Sequence, residues 1–429
     1  MGGRHRSLPA RERVGRSGLP GATRRTVWGP VIGFGLVSLA ADVVSDGARP
    51  LAGPLLAQLG ASALLVGLVT GGAEAAAQGL RLIFGPWADR TRRYWTFTLA
   101  GYALTAVCVP LLAVASWAGE SGLVLAAALI IGDRVGKAVR SPAKTVLLAG
   151  VAKPVGRGRG FAVHKSLDLV GALLGPVLVA FALAASGDLT AAFAMLSVPA
   201  AAAMFLLFRM RRRVPGPGTR QPPSLEAGWG VQEAVDPRSP GAAGRPVPLF
   251  TGSFALFAVA AFFWSAGLVA FGVISFHLTT AAAVPVAAVA LLYAGAMAAA
   301  ALGALASGVI YDRSGGRVLL AIPLLTVAVP VLALAPGIGL ALCGVLAWGI
   351  AMGIQDSTVK ALVADLVPEL RQGTAYGVFA AFEGAGALAG GALYGALYDT
   401  RALLITAVAV LQAVAFAVLI MALRRSGKP

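Results

Sequence analysis

The chain has 429 residues, 58% of them hydrophobic and only 12% charged, with a formal net charge of +17. A soluble domain of this size would be about a quarter charged, so the composition excludes a water-soluble globular protein. Apolar stretches rich in Gly and Ala recur along the sequence, each long enough to cross a roughly 30 Å hydrocarbon core, and they predict an all-α polytopic membrane protein.

Residues 1–26 read as a basic tail. Twelve spans follow, near 29–57, 62–88, 95–117, 122–146, 161–185, 189–209, 249–276, 284–311, 316–335, 338–362, 373–397 and 401–423. Arg24-Arg25 before the first apolar run is the pattern of a secretion signal, but Asp42 and Asp46 interrupt that run, so cleavage is not expected. Residues 210–248 are rich in Pro, Gly and Arg and have no apolar period, which reads as a linker. The expected domains are therefore a six-helix bundle over 27–209, a second over 249–423, and a short tail over 424–429.

Sorting Lys and Arg by loop puts about 26 on one side and about one, Arg401, on the other. The positive charge is thus a topology signal rather than a nucleic-acid footprint. It places both termini and the linker in the cytoplasm and the bundles in the cytoplasmic (inner) membrane. The two cysteines, Cys108 and Cys343, lie in different halves. No CxxC, HExxH or histidine cluster suggests a metal, no phosphate-binding loop suggests a nucleotide, and no nucleophile–base constellation suggests an enzyme. No cofactor is expected.

The two halves repeat each other. Gly85-Pro-Trp-Ala-Asp89-Arg90 pairs with Gly308-Val-Ile-Tyr-Asp312-Arg313, each at the end of its half's second span. RGRGFAVHKSLDLVGALLGP pairs with QGTAYGVFAAFEGAGALAGG, which sets Phe161 against Tyr376, Asp168 against Glu383, Gly171 against Gly386 and Gly175 against Gly390. Two matches in order imply a duplicated six-span unit. Parallel repeats around a linker are a transporter architecture with substrate between the halves near the midplane.

These residues make the chain resemble the major facilitator superfamily over nearly its whole length. The family's loop motif, Gly-x-x-x-Asp-Arg/Lys-x-Gly-Arg-Arg/Lys, is matched by Gly308, Asp312, Arg313, Gly315 and Arg317, and by Gly85, Asp89, Arg90 and Arg93. In the first copy Arg92 stands in place of the Gly, so its turn is expected to differ. A narrower resemblance is to a prokaryotic branch of largely unassigned substrate, through Asp42-Val-Val-Ser-Asp46, Leu-Gly60-Ala-Ser, Glu74, Asp133-Arg134-x-Gly136-Lys137-x-x-Arg140 and His164-Lys165-x-x-Asp168-x-x-Gly171-Ala. The resemblance implies two pseudo-symmetric six-helix bundles and alternating access. It also implies that Asp89, and Asp312 by analogy, latches the bundles on the cytoplasmic side against the start of the eleventh span. The plain alternative for the motif's arginines is anchoring by snorkelling.

Ionisable residues inside the spans are the remaining candidates, since burying them in lipid is costly. Asp42 and Asp46 lie one turn apart on one face, a plausible proton carrier, unless Asp46 is simply paired with Arg49. Glu74 and Asp168 are further proton-coupling candidates. Asp133, Lys137, Arg140 and Lys144 share one face of the fourth span, with Arg134 beside it. Arg49, Asp133, Arg134, Lys137, Arg140, His164, Gln355, Asp356 and Glu383 are candidates for the cavity or the substrate, against an internal ion-pair cluster in span four. For His164 and Asp168 the plain alternative is a salt bridge between bundles at the inner end. Gly171-x-x-x-Gly175-Pro176 resembles part of the antiporter signature of drug exporters, although close helix packing explains it equally well.

The expected function is a proton-coupled secondary transporter of a small organic solute, with export favoured over uptake by symport. A non-transporting sensor or scaffold is the alternative from another class. The expected partners are the solute, protons and membrane lipid, without nucleic acid, and the expected state is a monomer.

Overall fold

The structure, a computed structural model, describes residues 24–214, 252–368 and 371–426. Most of the predicted tail and linker, and the last three residues, lie outside the described residues. All regular structure among the described residues is helical.

Among the described residues, nine stretches are long and apolar enough to cross a membrane. One of them, Val286–Leu332, holds two helices, Val286–Ser314 and Ala321–Leu332, joined by a 3-10 turn over Gly315–Leu320. Two further long helices, Gly122–Ala152 and Gln372–Ala396, fall short of that apolarity because one carries five charges and the other is diluted by glycine. The architecture is consistent with twelve crossings of a multi-pass integral membrane protein. The ninth span is shorter than the predicted 316–335 because Gly315, at φ 63° and ψ −148°, ends the preceding helix in a conformation open only to glycine.

Spans one (Val27–Gln58) and seven (Gly252–Thr280) are both interrupted. The first tightens to a 3-10 turn at Arg49–Leu51 around Pro50, and the seventh opens between Gly267 and Phe271. Freed backbone groups need partners in a membrane. In span seven they find them: Tyr394 Oη donates to the Gly267 carbonyl at 2.7 Å, and Trp348 Nε1 donates to that of Val269 at 2.8 Å.

The duplicated unit is visible in the packing. A Cβ on Gly171 or Gly175 of span five (Arg157–Ser186) would sit 2.5 Å from the carbonyl oxygens of Leu39 and Val43 in span one. The equivalent glycines of span eleven (Gln372–Ala396), Gly386 and Gly390, meet the carbonyls of Phe262 and Ala266 in span seven in the same way. The register inferred from sequence therefore holds in space.

Packing between the bundles is unequal at the two ends. At the end away from the basic loops, one apolar core joins both halves, from Val43 through Phe193 to Phe271, Trp348 and Val408. There, spans two (Ala63–Thr91) and eleven approach so closely that a Cβ on Gly67 or Gly391 would collide with the other's carbonyl oxygen. At the basic end the cores are separate, one around Phe34 and Leu207, the other around Phe257 and Leu419. The bundles meet at the far end and part toward the basic one.

Candidate functional site

A cavity of about 980 Å³, counting its open mouth, lies between the bundles. Its N-terminal wall is formed by Ser45, Arg49, Glu74, Asp133 and Arg134, and its C-terminal wall by the opened segment of span seven together with Trp348, Gln355 and Glu383. Both helix interruptions border it, which is where broken membrane helices hold their ligands.

The N-terminal wall is an ion-pair network. Arg49 Nη2 reaches Glu74 Oε1 at 2.9 Å, while its Nη1 stands 3.7 Å from Asp46 Oδ1. Arg134 Nε lies 3.6 Å from Asp133 Oδ2 and 3.9 Å from Glu74 Oε1. Ser45 donates to Asp133 Oδ1 at 2.9 Å. Asp46, Asp133, Arg134 and Arg140 are all buried, so these partners replace the water the charges have lost. Arg140 turns away from the cavity, donating to Thr105 and lying 4.7 Å over the Tyr102 ring.

One side chain of the other bundle enters this network. Tyr293 of span eight (Val286–Ser314) donates to Asp46 Oδ1 at 3.2 Å and accepts from Arg49 Nη1 at 3.2 Å. Its ring packs edge-on against Phe271 at 4.7 Å, and Phe271 in turn neighbours Trp348 at 5.3 Å. Sequence reasoning missed Tyr293. The signal was there: a hydroxylated aromatic in the middle of an Ala-rich span must find a partner once buried.

A second polar cluster lies nearer the basic end. Lys144 donates to Ser38 Oγ at 2.9 Å, and Ser38 also touches Tyr102 Oη at 3.1 Å and His164 Nε2 at 3.4 Å. His164 Nε2 is 3.6 Å from Asp168 Oδ1, one turn along the same helix. These contacts of His164 and Asp168 lie within the N-terminal half, where span five packs against span one, although span five also packs against span eight of the other bundle. Asp42 is half-buried, with Asp46, Asp168, Lys137 and Lys144 as its charged neighbours and no hydrogen bond to another described residue. In the other half Gln355 Nε2 donates to Glu383 Oε1 at 2.7 Å. Asp356 is exposed, interacting electrostatically with Lys360 and with Lys165 from the opposite bundle.

The two loop motifs lie at the basic end, and their acids are open. Asp89 is exposed and accepts a hydrogen bond from Tyr94 Oη at 3.1 Å, and Asp312 is exposed too. Neither forms an ion pair among the described residues. The turns differ as expected: Arg92 closes its helix in the left-handed region at φ 52°, ψ 17°, whereas Gly315 takes a glycine-only conformation.

The sequence profile of the Major Facilitator Superfamily matches residues 34–391 and, in a second register, 254–429. The chain belongs to the Major Facilitator Superfamily. An uncharacterized protein of Mycobacterium tuberculosis is 46% identical over 382 residues, covering 88% of this chain and 89% of the relative, and one from Mycobacterium bovis matches to the same extent. An uncharacterized MFS-type transporter of Methanocaldococcus jannaschii is 28% identical over 146 residues, 34% of this chain and 35% of that one. Among solved structures, a nucleoside transporter superposes with a TM-score of 0.70 at 14% identity, covering 91% of this chain and 99% of that one. A bacterial homolog of the human lysosomal transporter Spinster gives 0.66 at 15%, covering 95% and 96%. At such identities the likeness is one of superfamily fold.

Proposed function

We propose that this superfamily member is a secondary transporter that carries a small organic solute between its bundles by alternating access and couples that movement to protons. The observation that supports this best is the inter-bundle cavity, closed at the far end by a shared apolar core and lined by charges of both signs. With the basic end assigned to the cytoplasm by the positive-inside rule, the conformation described is inward-open. The solute would enter from the cytoplasm in this state, or leave to it. The exposed motif acids fit the same state, since a cytoplasmic latch must be released for that side to open.

Proton coupling rests on buried carboxylates that two accessibilities could load and unload. Asp46 follows Ser45, which lines the cavity, with Asp42 one turn before it, and Asp46 accepts a hydrogen bond from the opposite bundle. A proton on Asp46 would weaken its hold on Arg49 and alter the contact with Tyr293, which links protonation to the far-end closure. Glu74 already answers Arg49 and Arg134, so we place it in charge balance first and coupling second. The glycine pair resembling an antiporter signature recurs in both halves as a helix-packing device, so we read it as packing rather than as a direction of transport.

The test is solute flux into proteoliposomes with and without an imposed pH gradient, after thermal-shift screening has supplied a ligand. Gradient-driven accumulation supports the reading. Saturable binding without net flux would favour a membrane sensor.

A further inference from the structure

Between spans one and six (Leu189–Arg213), at the basic end and on the bundle's outer wall, lies a groove that transport does not use. It encloses about 950 Å³, open side included. Its floor is apolar: Ile32 and Leu36, one turn apart, are 43% and 40% exposed. Gly29 has no neighbour within 4 Å of where a Cβ would stand, which leaves the mouth wide. Trp28 lines the groove near the basic end of span one, and tryptophan is favoured where a span meets the headgroups.

Opposite Trp28, Arg209 and Arg213 project from span six with the i, i+4 spacing that puts both on one face. Both are exposed, and neither forms an ion pair among the described residues. Snorkelling accounts for an arginine at a span's end, but not for two aligned over the open end of an apolar groove. The geometry points to a binding site for an anionic phospholipid. Its headgroup phosphate sits between Arg209 and Arg213, matched by the bidentate fork of the guanidinium, and an acyl chain lies along Ile32 and Leu36. A phosphate-bearing chain answers both features; a zwitterionic lipid answers only the apolar one. The protein's own N-terminal tail is a poor occupant, since Arg4, Arg6, Arg11, Arg13 and Arg16 against Glu12 would repel the same pair.

Two arginines near a membrane surface together favour an anionic lipid over a zwitterionic one by at least roughly tenfold. The test is native mass spectrometry of the delipidated full chain with phosphatidylglycerol or phosphatidylcholine of identical acyl chains. The wild type should retain phosphatidylglycerol about tenfold more tightly. The double variant Arg209→Gln/Arg213→Gln should bring the two lipids near parity, and Arg424→Gln/Arg425→Gln, at the end of span twelve, should not. Gly29→Trp, which fills the mouth, should lower retention of phosphatidylglycerol while the thermal unfolding midpoint stays within a few degrees. No preference in the wild type, an undiminished preference in the Arg209/Arg213 variant, or displacement of the lipid by millimolar glycerol 3-phosphate would each overturn the site.

Discussion

Tyr293 and Asp46 are joined across the two bundles by a 3.2 Å hydrogen bond, with Arg49 donating to the same tyrosine oxygen. Tyr293 is fully buried, in the core that closes the far end. Opening that end must break this contact, because its two sides belong to the two bodies that separate.

The first prediction follows directly. Tyr293→Phe keeps the ring and its packing on Phe271 but deletes both hydrogen bonds, each contributing roughly 0.5–1.5 kcal/mol. The far-end closure should weaken, so that cysteine probes placed beside Gly67 and Gly391 become labelled from the far side several-fold faster. Unchanged labelling, with the variant folded, would remove Tyr293 from the gate.

The coupling prediction concerns Asp42 and Asp46. Asp46→Asn, or Asp42→Asn, should abolish accumulation driven by a pH gradient and leave exchange at equal solute concentrations nearly intact. If both variants still concentrate solute, the proton site lies elsewhere, with Glu74 or Asp168 next in line.

At the basic end, Asp89 is exposed and forms no ion pair among the described residues. Its latch would act in the opposite state. Asp89→Asn should therefore enrich the conformation seen here, lengthening spin-label distances across the basic face while leaving expression and ligand binding mostly intact. A distance distribution identical to wild type counts against the latch.

Gly175 and Gly390 make equivalent contacts in the two halves, so their variants should fail alike. Gly175→Leu or Gly390→Leu forces span five off span one, or eleven off seven, by pushing side-chain atoms into backbone carbonyls. Overpacking of this sort costs about 1–3 kcal/mol or more, and both variants should lower the thermal midpoint by several degrees. Two variants at wild-type stability would contradict the close approach.

Topology can be checked independently. A reporter active only outside the cytoplasm, fused after residue 429, should be silent. Activity there would invert the orientation and, with it, the reading of this state as inward-open.

Much of the fold was legible in the chain itself. Span length, loop charge and the internal repeat depend on local composition and on a periodicity the bilayer imposes, so they survive without tertiary information. The register Gly171/Gly386 and Gly175/Gly390 was readable for the same reason: a duplicated unit repeats its small residues wherever helices must touch. What the sequence could not decide is partnership. Arg49 was free to pair with Asp46 alone, yet it takes Glu74 at the shorter distance and Tyr293 from the other bundle, because span two and span eight reach the first span's interruption together. Likewise His164 takes Asp168, one turn along its own helix, and Ser38 of span one, although span five also packs on span eight. The opening of span seven has no proline to announce it. It stands because Tyr394 and Trp348, remote in the chain, receive the carbonyls it frees. Buried charges and broken helices are held by whichever partners the fold carries to them, and that is a property of three dimensions.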